Sequence, residues 1–215
     1  MITALRPASG AQAGADTVTI SVTVITRGGT SAVSPADRFT YLPPPTVSKV
    51  VPRSGPVGGG TVVSIAGANL GGASGVTFGC VGAQRFEVSS ASSIVAIAPS
   101  EPVATVDVRV TTAGDRSAAS SGDRYTFTPV ITALSPSAGT TAGGTTVTVT
   151  GEGLGIGTGG TTIKFGTAKA TPVACSSSTT CTAVSPAHAA GTVQMRAIVT
   201  GKSSSKSAAT AFTYQ

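Results

Sequence analysis

Apolar and polar residues alternate in short runs along most of the chain, and glycine or proline clusters separate the runs. In TTVTVTGEG the period is two: Val147 and Val149 fall on one side, with Thr146, Thr148 and Thr150 on the other. GTVQMRAIV behaves the same way, with Val193, Met195 and Ala197 on one face and Arg196 opposite. Upstream, Val63 and Ile65 share a face, as do Val106, Val108 and Val110, with Arg109 turned away. No long stretch repeats apolar residues at helical spacing. The pattern predicts an all-β chain. In the last third it places strands near 130–135, 144–151, 161–166, 168–175, 180–185, 191–199 and 208–214. Faces with a period of two suit a two-sheet sandwich.

The pattern also repeats. PTVSKVVPRSGPVGGGTVVSIAGANL (45–70) matches PVITALSPSAGTTAGGTTVTVTGEGL (129–154) at an offset of 84, and VTFG (76–79) matches IKFG (163–166) at an offset of 87. The three added residues fall in the glycine loop GIGTGGTT (155–162). Near the start, ISVTVIT (20–26) matches VDVRVTT (106–112), DRFTY (37–41) matches DRYTF (123–127), and ITALRP (2–7) matches IVAIAP (94–99). The expected organisation is therefore the back half of a domain over 1–43, a complete domain over 44–128 and another over 129–215. A unit of this size can hold one sandwich core. The three closing pairs, Phe39/Tyr41, Tyr125/Phe127 and Phe212/Tyr214, have the spacing that puts both rings on one face, and core packing is their expected use. Proline-rich YLPPPTV (41–47) and FTPVI (127–131) read as short, stiff linkers.

Pro52 to Gly55 followed by Gly59-Gly60-Thr61, and Pro136 to Gly139 followed by Gly143-Gly144-Thr145, form one recurring start motif. With the central Phe-Gly and the closing Phe-Thr-Tyr, the motif resembles the IPT/TIG domains, immunoglobulin-like folds shared by plexins, transcription factors and many bacterial surface proteins. The resemblance covers nearly the whole chain. It implies tandem Ig-like β-sandwiches that serve as spacers or interaction modules. The Thr-, Ser- and Gly-rich style is similar to that of secreted bacterial members.

Composition narrows the chemistry. The net charge is +6, and most of it belongs to the last unit, where five bases face the single acid Glu152. Those bases are scattered, and Trp is absent, so neither a nucleic-acid stripe nor an aromatic sugar platform is expected. MITALRPASG lacks the apolar core of a signal peptide, and no stretch approaches the length of a membrane span. An exported protein would carry its signal ahead of this segment.

Cys175 and Cys181 stand six apart in CSSSTTC, and the repeat aligns them with the apolar Val88 and Ile94. A metal site would need further ligands, and a redox pair a Cys-x-x-Cys at a helix start. A structural disulfide between neighbouring strands is the expectation. It implies an oxidising compartment and contributes about 2 kcal/mol, because the loop is short. Cys80, aligned with Thr167, has no partner and is read as a free or intermolecular thiol. His188 is the one histidine, in SPAHAAG between strands, with no acid or nucleophile near it in sequence. The glycine clusters GPVGGGT and GTTAGGT lack a following Gly-Lys-Ser/Thr, so phosphate binding fails on context, and turns with positive φ are expected.

No catalytic, cofactor or metal residue is expected. The favoured function is a non-catalytic stalk or interaction module on a bacterial surface, with the other domains of its array, a protein or a cell-wall glycan as partners. One alternative is a self-assembling fibre subunit associating through residues 1–42. Another is an accessory module of a secreted polysaccharide-active enzyme.

Overall fold

The computed structural model describes residues 18–215. Residues 45–128 form a two-sheet sandwich. One antiparallel sheet runs in the order Arg85–Ser90, Ser93–Ile97, Val62–Ala68, Thr46–Val51. The other runs Ser54–Pro56, Arg124–Thr128, Thr105–Thr112, Gly75–Phe78, Val81–Gly82, with Asp115–Arg116 folded back on Thr105–Thr112. Residues 129–214 repeat both sheets. The order is Val130–Ser135, Thr146–Glu152, Thr180–Val184, Val173–Ser177 in the first, and Ala138–Gly139, Ala211–Tyr214, Gly191–Val199, Thr162–Phe165, Ala168–Lys169 in the second. Each sandwich closes around its own apolar cluster.

Alternation assigns these faces because each strand lies between one core and solvent. Val63, Ile65, Val108, Val110, Val147, Val149, Met195 and Ala197 are fully buried, while Thr146 and Thr150 are exposed. Tyr125, Phe127, Phe212 and Tyr214 fill the two cores edge-to-face against Phe78 and Phe165, with ring centroids 4.9–6.3 Å apart.

Three expectations need correction. The single strand expected over 168–175 is two strands in different sheets: Ala168–Lys169 pairs with Thr162–Phe165, and Val173–Ser177 pairs with Thr180–Val184. Pro172 stands at the crossing, where its missing N–H and fixed φ interrupt a ladder. The last strand begins only at Ala211, since Ala208–Thr210 form a 3₁₀ turn. Phe39, expected in a core, is 44% exposed.

The N-terminal part pairs Val18–Ser21 with Arg38–Tyr41 and Ile25–Thr26 with Gly29–Thr30. No facing sheet covers these strands among the described residues. The strand expected from ITALRP lies outside the described residues.

Candidate functional site

The start motif is a steric device. Ser54–Pro56 and Ala138–Gly139 pair in parallel with the closing strands Arg124–Thr128 and Ala211–Tyr214. A side chain on Gly55 would strike the Tyr125 hydroxyl and Thr61, and one on Gly139 would meet the Phe212 ring tip at 2.9 Å. The first glycine of the motif therefore makes room for an aromatic of the closing strand. Gly59 and Gly143 have φ of +77° and +79°, and a Cβ there would lie 2.5 Å from the Pro99 carbonyl oxygen or 2.8 Å from that of Ser185. Only glycine fits both demands. The motif thus folds the chain from one sheet to the other.

Burial raises the Asp123 carboxyl above its usual range. The Ser120 N–H donates to Oδ2 at 2.9 Å and opposes the rise, Asp107 adds to it, and Arg109 counters it. Oδ1 is buried without a hydrogen-bond partner. Burial also raises the Tyr125 and Tyr214 hydroxyls. The Thr61 hydroxyl is close enough to Tyr125 to ease its shift, although no bond of standard geometry forms. These groups lie buried inside the sandwiches.

The structure joins Cys175 to Cys181 through a disulfide between directly opposed positions of neighbouring strands. Val88 and Ile94 oppose each other in the same way in the preceding domain. The longer glycine loop of the last domain bridges the edge strand there: the Gly157 N–H donates to the Cys175 carbonyl at 3.0 Å. Cys80 is free and exposed in the turn after Phe78. The His188 ring stacks on Tyr214 at 4.9 Å, and Nδ1 lies 2.8 Å from the Ala189 carbonyl oxygen. Among the described residues no cluster of three or more His, Cys, Asp or Glu could hold a metal, and no helix is long and apolar enough to cross a membrane.

The contact that sequence reasoning missed joins the two sandwiches. Gly153, with φ +69°, sits at the leading end of the last domain. A Cβ there would stand 3.0 Å from both methyls of Val57 and 3.1 Å from a methyl of Val103, so these side chains lie directly on its backbone. Backbone bonds hold Val57 in place: its N–H donates to the Thr128 carbonyl at 3.1 Å, and its carbonyl accepts from the Glu101 N–H at 3.0 Å. Beside it the Glu152 carboxylate reaches Gly58. Only Pro129 separates the closing strand of one domain from the first strand of the next. A repeat comparison carries a weak signal of this contact: Gly153 aligns with Asn69, and both take the left-handed conformation.

At the other end of the middle domain, Asn69 donates from Nδ2 to the Pro44 carbonyl at 3.1 Å. A groove of about 220 Å³ opens beside it, lined by Leu42, Pro43, Asn69, Gly71, Thr112 and Gly114. A second groove of similar size lies on the outer sheet face by Val62, Val95 and Ile97, flanked by Arg85 and Glu87, with the core-packed Phe86 at its edge. In the last domain the matching face carries threonines: Thr148 pairs with Thr182, and Thr150 with Thr180.

Paired sheets, a separate core in each unit and a stacked junction define a class: serial immunoglobulin-like β-sandwiches. The chain belongs to the IPT/TIG domain family, whose sequence model matches residues 45–128 and again 129–214. Among solved structures it is similar to the extracellular region of plexin A4, with 24% identity, 80% of this chain and 18% of that chain covered, and a TM-score of 0.37. It is also similar to SGBP-B from a complex xyloglucan utilization locus in Bacteroides uniformis (21% identity, 74% and 47% covered, TM-score 0.33). A further similar structure is Yersinia pseudotuberculosis InvD (14% identity, 80% and 57% covered, TM-score 0.32). The chain spans less than two thirds of each of these structures.

Proposed function

We propose that this chain is a non-catalytic, load-bearing section of an extracellular tandem array, in which serial sandwiches set reach and their exposed faces meet partners. The observation that carries the reading is the junction. Val57 and Val103 rest on the backbone of Gly153, and a one-residue proline link leaves little freedom between the two domains. A disulfide in a sandwich whose sister domain does without one supports an oxidising location outside the cytoplasm. The outer face around Val62, Val95 and Ile97 is apolar where the matching face of the last domain carries threonines, and it is the favoured contact for a protein or glycan partner.

A mechanical function is tested by pulling. Stretched from its ends in a single-molecule force experiment, the chain should rupture in two steps. Each step releases roughly 300 Å of contour, at 3.3–3.6 Å per residue. Reduction should lengthen one of them by roughly 20 Å, the span the disulfide locks away. A single undivided rupture, or unfolding at forces no higher than those of a loose coil, would reject the stalk reading.

A further inference from the structure

Residues 18–41 reproduce the back half of the two complete sandwiches bond for bond. Thr19 and Thr40 join their hydroxyls across the strand pair at 3.0 Å, as do Thr105 and Thr126 at 2.9 Å and Thr192 and Thr213 at 2.9 Å. The Val24 N–H donates to Ser31 Oγ at 3.0 Å, matching Val110 to Ser117 at 3.1 Å and Ala197 to Ser204 at 3.0 Å. Ahead of the closing strand, the Ser34 N–H donates to Asp37 Oδ2 at 2.7 Å. Ser120 does the same to Asp123 at 2.9 Å, and Ser207 to Thr210 Oγ1 at 3.1 Å.

The faces differ only in what covers them. Val108, Val110 and Tyr125 are fully buried, and so are Met195, Ala197 and Phe212. Their counterparts Val22, Val24 and Phe39 are 45%, 40% and 44% exposed. A back half with its bonds in place, and with no facing sheet among the described residues, is shaped for a front half.

A second observation marks the same missing body. In the junction between the complete domains, the Val57 turn of the front half sits on Gly153. The equivalent position one domain earlier is Asn69, and there the groove by Leu42, Pro43 and Gly114 stands open. A front half laid on residues 18–41 would carry its own Pro-x-x-Gly-x-x-x-Gly-Gly-Thr turn to this groove.

From these two observations we infer that residues 18–42 and the Asn69 groove together form a docking surface for the front half of a third IPT/TIG sandwich. The inference rests on the array reading. The sequence holds two front-half motifs, at Pro52 and Pro136, and three closing strands, at Phe39, Tyr125 and Phe212. An exchange of front halves between copies bares one back half for each one it covers, so such an exchange gains no buried surface.

The test has two arms. In the full chain, Val22→Asp with Phe39→Asp should lower the fluorescence of the apolar dye ANS several-fold and leave both unfolding steps of the complete domains where they were. In an extended chain, a duplicate of residues 45–103 is placed directly ahead of Val18 as a stand-in front half. A third cooperative unfolding step should appear, residues 18–41 should become resistant to protease, and Phe39→Asp should abolish both gains. The inference is overturned if the paired aspartates leave dye binding unchanged. It is equally overturned if residues 18–41 of the extended chain are cleaved as fast as before. Neither failure touches the two-step rupture of the complete domains, so the stalk reading stands or falls separately.

Discussion

Gly139 carries no side chain because the tip of Phe212 and the Thr145 hydroxyl occupy the place where a Cβ would go. Gly139→Ala should therefore push the closing strand off its parallel partner. It should cost about 1–3 kcal/mol, the range for overpacking a filled core, measured as a loss in denaturant stability of the last domain alone. Asp123 makes a different point. Its carboxyl is raised by burial, so the folded domain holds that proton more tightly than the unfolded chain. The stabilisation from protonation is complete below the usual carboxylate range and is lost as pH rises through the raised folded-state value. Asp123→Asn should stabilise the middle domain at neutral pH and flatten this part of its pH profile, read by thermal unfolding across mildly acid to neutral pH. The last domain, with Thr210 in the same place accepting the Ser207 N–H at 3.1 Å, should show no such step.

At the scale of the strand, the sequence pattern carried most of the fold. Each long strand lies between a core and water, so a period of two names its buried side, as at Val147 and Val149. The pairing of Cys175 with Cys181 was legible because the repeat set them on Val88 and Ile94, and each pair is opposed in register. Short strands were not legible. Ser54–Pro56 and Ala138–Gly139 are too brief to show alternation, and their partners lie some 70 residues away at the other end of the domain. The split at Pro172 leaves no mark on the pattern because both flanking segments are short and mixed in polarity. Phe39 misled for a physical reason: spacing says that two rings share a face, and only a facing sheet can bury that face. The disulfide ties strands that apolar packing already holds in the sister domain. Cys175→Val with Cys181→Ile should therefore leave the last domain folded. The loss should be no more than about 2 kcal/mol in denaturant titration, the entropic worth of so short a loop.

Across the whole molecule, the same sandwich recurs, and the two complete copies meet at a small junction where Val57 and Val103 rest on Gly153 and Arg124–Thr128 lies beside Lys202–Ser203. That contact had little sequence signal, since Val57 and Val103 belong to one repeat and Gly153 to another, and no periodic pattern links them. It decides whether the chain is a rod or a string of loose beads. Cys80, free and exposed on the middle domain, offers a natural spin-label site, and Thr182→Cys places a second on the outer face of the last domain. The electron–electron distance distribution between them should be a single narrow peak in the native chain. It should broaden when Gly153→Val forces Val57 and Val103 off the junction. A native distribution already as broad as that of the Gly153→Val chain would contradict the account, because the domains would then be joined only by their linker.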